Sequence, residues 1–131
     1  DYYENQVINH MLRGQAFTPA ATIYVALFTA VTGLEANSPT LEVSGGAYAR
    51  QTITLTAASG GASDNTADIT FPTATAAWGT ITHMAIVDHV SNVTWGTNVN
   101  VLMWGVLTVA KTVNNGDTFK FNLGAVDITI D

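Results

Sequence analysis

The chain has no cysteine among its 131 residues. Disulfides and cysteine-ligated metal centres are therefore excluded. Basic residues are nearly absent too: Arg13, Arg50, Lys111 and Lys120 are the full complement, and they are scattered. A phosphate-binding surface needs such residues in a cluster, so nucleic acid is not an expected partner. Charge of either sign is scarce, at 11% of residues against a usual ~25%. A domain this poor in charge covers itself with Thr, Ser, Asn and Gly, or gives much of its outside to an interface. The abundance of Thr and Asn makes the first certain and leaves room for the second. Net charge is −6. No apolar run approaches the ~18 residues of a membrane-spanning helix, so no membrane partner is expected. The opening DYYENQVINHMLRG lacks the basic start and apolar run of a secretion signal. Asp1 in place of an initiator Met suggests that a few residues have been removed. There is no internal repeat, no low-complexity tail and no boundary, which gives one domain over 1–131 with 1–14 as a helical arm.

What is present is organised around Ile69–Asp88, ITFPTATAAWGTITHMAIVD. In its first run Ala67, Ile69 and Phe71 share a face. Pro72, with no N–H to donate, then stops the ladder. The second run puts Ile81, His83, Ala85 and Val87 on one face and Thr82, Met84, Ile86 and Asp88 on the other. Both faces are largely apolar, the pattern of a strand covered on both sides. Trp78, between the runs, reads as a core plug whose indole N–H is met by a nearby carbonyl.

Upstream, Tyr2–Leu12 is the one convincing helix. Tyr3, Val7 and Met11 form an apolar row beside Ile8 and Leu12. Asp1 and Glu4 suit its N-terminal end, Arg13 its C-terminal end, and Gly14 the residue just past it. Three turns are marginal alone, so the stripe must pack on the sheets or on a neighbouring subunit. After a linker with Pro19 comes Thr22–Thr29, a strand apolar on both faces. Residues 30–46 form a long loop, a length that usually signals function; Leu34, Leu41 and Val43 in it read as exposed. Ala47–Thr56 alternates cleanly, with Arg50 on the threonine-lined outer face. A flexible loop, 57–65, leads into the central stretch.

Downstream, residues 89–100 are a polar loop carrying Trp95. Val101–Val109 is a nearly continuous apolar run, read as a buried strand that takes Trp104 into the core. Asn114–Asp117 carries the Asn-Gly signal of a hairpin. The last run, Thr118–Ile130, changes parity: Phe119, Phe121 and Leu123 are odd, Val126, Ile128 and Ile130 even. Either a bulge at Gly124–Ala125 keeps one face inward, or the strand changes sheets there. Repeated short strands with turn signals give an all-β chain, an antiparallel β-sandwich of jelly-roll or Ig-like type with one short N-terminal helix.

Groupings that could do chemistry are thin. His83 and Asp88 lie on opposite faces of one strand, and His83 reads as a satisfied core histidine. His10 is solvated or at an interface. Asp64, Asn65 and Asp68 lack the 12-residue loop and closing Glu of a calcium site, and read as a solvated turn. No serine occupies a nucleophile elbow and no glycine-rich loop precedes a helix. Trp95 is the one aromatic read as exposed. No enzyme activity, metal or cofactor is expected.

The helix ending HMLRG, the strand TIYVALFTA, the loop ending EVSGGAYAR, the block ITFPTATAAWGTITHMAIVD and the turn NNGDTFKF occur in an order that resembles a family of small tailed-phage virion proteins. These are often called phage tail fibre proteins, and similar small proteins decorate or cement capsids. The resemblance covers nearly the whole chain and implies a β-sandwich or jelly-roll-like virion structural protein, a homotrimer, with no catalytic residues to carry over. The leading expectation is a capsid decoration (cement) protein on the outer capsid surface, with the major capsid protein or other virion proteins as partners. Its contacts are expected from Tyr2, Tyr3 and His10 on the helix and from Leu34, Leu41 and Val43 in the long loop. A tail-fibre or baseplate component, with Trp95 in the contact loop, is the alternative. A carbohydrate-binding module, which needs a second coplanar exposed aromatic, ranks below both.

Overall fold

In the computed structural model, which describes residues 2–91 and 94–130, a single helix precedes eight strands. The helix α1 spans Tyr2–Arg13; the strands are β1 (Ile23–Phe28), β2 (Gln51–Ile53), β3 (Ala62–Asp64), β4 (Ile69–Thr70), β5 (Gly79–Val87), β6 (Val101–Val113), β7 (Lys120–Phe121) and β8 (Asp127–Thr129). Four of them form an antiparallel sheet in the order β2-β1-β5-β6. Two small antiparallel pairs, β3–β8 and β4–β7, complete the strand content. The architecture is all-β and sandwich-like with one short N-terminal helix, as the strand pattern predicted.

β1 is central because both its faces are apolar. Val25, Ala26, Leu27 and Phe28 are all fully buried. Val25 and Leu27 enter a large core with Ile53, Ile69, Phe71, Trp78, Ile81 and Ile86. Ala26 and Phe28 enter a smaller one with Leu34, Ala85, Val87, Val99 and Val101. The two small strand pairs therefore cover one face of the main sheet, and the long loops cover the other.

Trp78 is the plug of the large core. It is 6% exposed, and its Nε1 donates to the Gly46 carbonyl at 2.9 Å. Tyr48 meets it edge-on at 5.4 Å and Phe71 at 6.5 Å, and the aromatic chain continues through Phe119 to Phe121. Such pairs add about 0.5–1.5 kcal/mol each beyond their area burial.

Four expectations are corrected in detail. β5 is not in one phase: Ile81 opposes Lys111 but His83 opposes Val106, with Thr82 between them on β5 and Leu107–Ala110 on β6. The bulge moves Ile81 to the face of Met84 and Ile86 and leaves His83, Ala85 and Val87 on the other. The alternating strand foreseen over 47–56 shrinks to Gln51–Ile53, because Gly45, Gly46 and Ala47 all have positive φ and turn the chain just before it. Arg50, placed outward by alternation, is 6% exposed. Finally, the Asn114–Asp117 turn forms, with Gly116 at φ 91° and the Asp117 N–H on the Asn114 carbonyl at 3.1 Å. It is a corner and not a hairpin, since β6 and β7 lie in different sheets.

Of the two readings of the parity change, the sheet switch is the one observed. β7 pairs with β4 and β8 with β3, and Gly124 between them has φ 71°. Phe119, Phe121, Val126 and Ile128 all reach the large core.

Candidate functional site

The long loop over residues 30–46 is stitched to the sheet. The Val43 N–H donates to the Leu27 carbonyl at 2.9 Å and the Thr29 N–H to the Leu41 carbonyl at 3.0 Å, which prolongs the ladder of β1. Glu42, between them, takes two hydrogen bonds of 2.7 Å each from Nε and a terminal nitrogen of Arg50. Arg50 also donates to the His89 carbonyl at 2.8 Å. The Tyr48 hydroxyl donates to Glu42 at 3.2 Å and accepts the Leu27 N–H at 2.9 Å. Burial, then the Glu42 charge, pushes the Tyr48 phenol far above its usual range.

A second clasp joins this loop to residues 94–101. Asp88 accepts from the Asn100 backbone and side-chain N–H groups at 2.6 and 2.7 Å. Asn37 donates to Asn100 at 2.9 Å and accepts the Val101 N–H at 2.7 Å. Asn65 and Asp68, read from the sequence as part of a solvated turn, hold backbone in place, and Asn65 is buried at 2% exposure. Asn65 spends its amide on the carbonyls of Ala67 and Asn122 and the N–H of Val126. Asp68 accepts the Leu123 N–H at 2.8 Å and Lys120 at 3.1 Å, which together hold its carboxyl below the usual range. His83 shares a 2.8 Å hydrogen bond with Thr82 and is half-buried.

The stitching corrects the expected exposure of two contact residues. Leu34 and Val43 are buried, at 1% and 5% exposure, because the loop folds them into the two cores. Leu41 stays exposed. On the helix, Tyr2 and Tyr3 are half-buried and His10 is exposed, with its Nδ1 3.0 Å from the Gln15 carbonyl.

Trp95 and Trp104 exchange the roles foreseen for them. Trp95 is half-buried against the smaller core, with Phe28 at 6.3 Å and the Arg50 guanidinium 4.9 Å from its ring centre. Trp104 is 39% exposed, and its Nε1 donates to Glu35 at 3.1 Å. The tryptophan in the polar loop is held by a buried cation, while the one in the apolar run lies on an edge strand. Asn92 and Val93, in the 89–100 loop, and Asp1 lie outside the described residues.

What remains exposed and apolar is concentrated on α1 and β6. No residue of α1 is buried, and among the described elements it packs on β6. Beside it lies a groove of about 430 Å³ lined by Tyr3, Val7, Ile8, Leu34, Met103 and Trp104. Farther along β6, Val106 and Val109 are 71% and 65% exposed. They border a cleft of about 710 Å³ between β6 and the chain from Asp117 to Asp127. A long edge strand with apolar side chains is a surface suited to joining protein to protein.

No curated protein matches the chain. The family model described as podophage GP4 fiber I protein gp80 matches residues 1–129. With nearly every residue inside that match, the chain belongs to this family of podophage fibre proteins and is a structural protein of a tailed-phage virion.

Proposed function

We propose that the chain is a subunit of a tail fibre, assembled as a homotrimer and working by packing rather than by catalysis. The observation that carries this reading is the apolar face on α1 and β6. Buried polar side chains such as Arg50, Asn65 and Asn100 are engaged within the fold, while Leu12, Met11, Val106 and Val109 present apolar surface outward. The fibre description of the family supports the tail rather than the shell. Partners are copies of the same chain and neighbouring virion proteins. Four scattered cations make nucleic acid a poor partner.

Capsid decoration needs the same kind of face and is the competing location. Copy number separates the two. Quantitative mass spectrometry of purified virions, against the major capsid protein, is expected to give a few to a few dozen copies per particle. A ratio of the same order as the capsid protein would place the chain on the shell instead.

A further inference from the structure

The Asn114–Asp117 corner carries a reactive pair that the fold holds out of reaction. Asn115 is the one asparagine in the chain followed by glycine, and it is exposed. Glycine places no Cβ beside its own amide nitrogen, so that nitrogen can closely approach Cγ, the side-chain carbonyl carbon of Asn115. In an open chain it attacks there. The bond from Cγ to the side-chain nitrogen breaks, and ammonia leaves with the proton that the Gly116 nitrogen gives up. A succinimide ring remains. Water then opens the ring at either carbonyl, to aspartate or to isoaspartate.

Two features of the corner oppose the first step. The Gly116 N–H donates to the Ala74 carbonyl at 2.7 Å, and loss of its proton would cost that bond. The turn also has the wrong hand. The Asp117 N–H closes it on the Asn114 carbonyl at 3.1 Å, and Gly116 has φ 91° while Asn115 is not among the residues of positive φ. These are the marks of a type II turn, whose first central residue has ψ of about +120°. Ring closure brings the Gly116 nitrogen over the Asn115 Cβ, and for an L residue that needs a ψ of negative sign. The peptide between Asn115 and Gly116 must therefore rotate before it reacts, and the rotation carries its N–H away from Ala74.

The corner is secured from both sides. Ala74, 1% exposed, donates its own N–H to the Asp117 carbonyl at 2.8 Å. The Asp117 carboxylate accepts the Asn114 N–H at 2.8 Å. Next along, the Phe71 N–H donates to the Phe119 carbonyl at 2.9 Å, and Phe119 is buried in the large core. Rotation at Gly116 is thereby tied to the attachment of the C-terminal strands, and needs residues 114–119 to lift locally from residues 71–74.

We infer that Asn115 is a deamidation site gated by this corner, silent while Gly116 is held by Ala74 and reactive when the corner lifts. Either product adds a negative charge two residues from Asp117, in a chain already at net −6. Isoaspartate also adds a methylene to the main chain inside the turn. A corner that has reacted in this way does not regain the Gly116–Ala74 hydrogen bond in the same register, so the modification marks chains in which the corner has opened.

The test incubates the full chain at mildly alkaline pH, folded and in urea. Liquid chromatography and mass spectrometry of its peptides separate the asparagine, aspartate and isoaspartate forms. Asn115 is expected to react about tenfold more slowly, or slower still, in the folded chain, because a hydrogen bond must break first. Native-state hydrogen exchange is expected to show a protected Gly116 amide. Asp117→Ala removes the acceptor of the Asn114 N–H and leaves the reacting atoms in place. It is expected to speed the reaction about fivefold in a chain that circular dichroism shows to be folded.

Equal rates in the folded chain and in urea overturn the gate. So does a Gly116 amide that exchanges as fast as an open loop, or a folded Asp117→Ala chain that reacts no faster than the parent. An Asn115 that stays intact in urea overturns the site itself. If Asp117→Ala does not fold, the parent's two rates and its Gly116 exchange decide the matter.

Discussion

Arg50 and Glu42 form a two-pronged ion pair, 2.7 Å on each prong, with both side chains almost entirely out of solvent. The pair holds the long loop against β1, and the guanidinium also lies over the Trp95 ring. One cation therefore fixes parts of both long loops. Removing a single partner leaves an uncompensated buried charge, which costs about 3–5 kcal/mol. Arg50→Met is expected to lose that much in urea denaturation, and Arg50→Met/Glu42→Leu markedly less. Equal losses in the two proteins would mean that the charge is already well solvated.

Gly46 is pinned by Trp78. A Cβ there would sit 2.9 Å from both the Trp78 Nε1 and the Ala76 carbonyl oxygen, at φ +54°. Gly46→Ala must displace the plug as well as strain the backbone, and an expected loss of about 2–4 kcal/mol follows. Gly45 is the control. Its φ is similarly positive, but its Cβ meets open space, so Gly45→Ala is expected to cost about 1 kcal/mol. Denaturation midpoints of the pair separate packing from backbone strain.

Asn65 decides whether the C-terminus stays attached. Its side-chain amide makes three hydrogen bonds with the backbone of residues 67, 122 and 126 while 2% exposed. Asn65→Ala leaves buried backbone groups unmet at about 1–3 kcal/mol each. Hydrogen exchange is expected to accelerate first over residues 122–130, ahead of β1 and β5. Uniform acceleration across the chain would show that the segment has no separate attachment.

Tyr48 sets an alkaline limit. Burial raises its folded pKa well above the unfolded value, which is ~10. A raised pKa means that this contribution is whole below the unfolded value. It is lost progressively as pH rises beyond ~10, where the unfolded chain releases the proton and the folded chain does not. Tyr48→Phe is expected to be about 1 kcal/mol less stable at pH 7, through its lost hydrogen bonds. Its stability should fall less steeply between pH 9 and 12. Parallel curves for the two proteins would assign the alkaline loss to other groups.

Much of the fold was legible where a residue's neighbours in sequence determine its surroundings. β1 is apolar on both faces in sequence and buried on both in space. Trp78 follows a stretch of small residues and becomes the plug. The parity change around Gly124 marked a break in the last strand, and the pairing of β7 with β4 and of β8 with β3 made it a sheet switch and not a bulge. What was hidden depends on pairing between distant segments. The outward alternation of Arg50 is overridden by Glu42, eight residues upstream, and its pull on Trp95 cannot be read from either stretch. The nearly continuous apolar run at the start of β6 carries no phase, so neither its bulge nor the exposure of Trp104 was visible. Leu34 and Val43 sit among loop residues, and nothing local marks them as core. The candidate face was therefore half readable: the amphipathic helix was found, and the exposed apolar residues of β6 were not.

The central claim is that this chain builds a tail fibre. Electron microscopy of intact virions, labelled with gold-conjugated antibody against the chain, tests it most directly. The account predicts label at the tail, on fibres, with a bare shell. Label spread over the faces of the capsid would contradict it and make the chain a decoration protein.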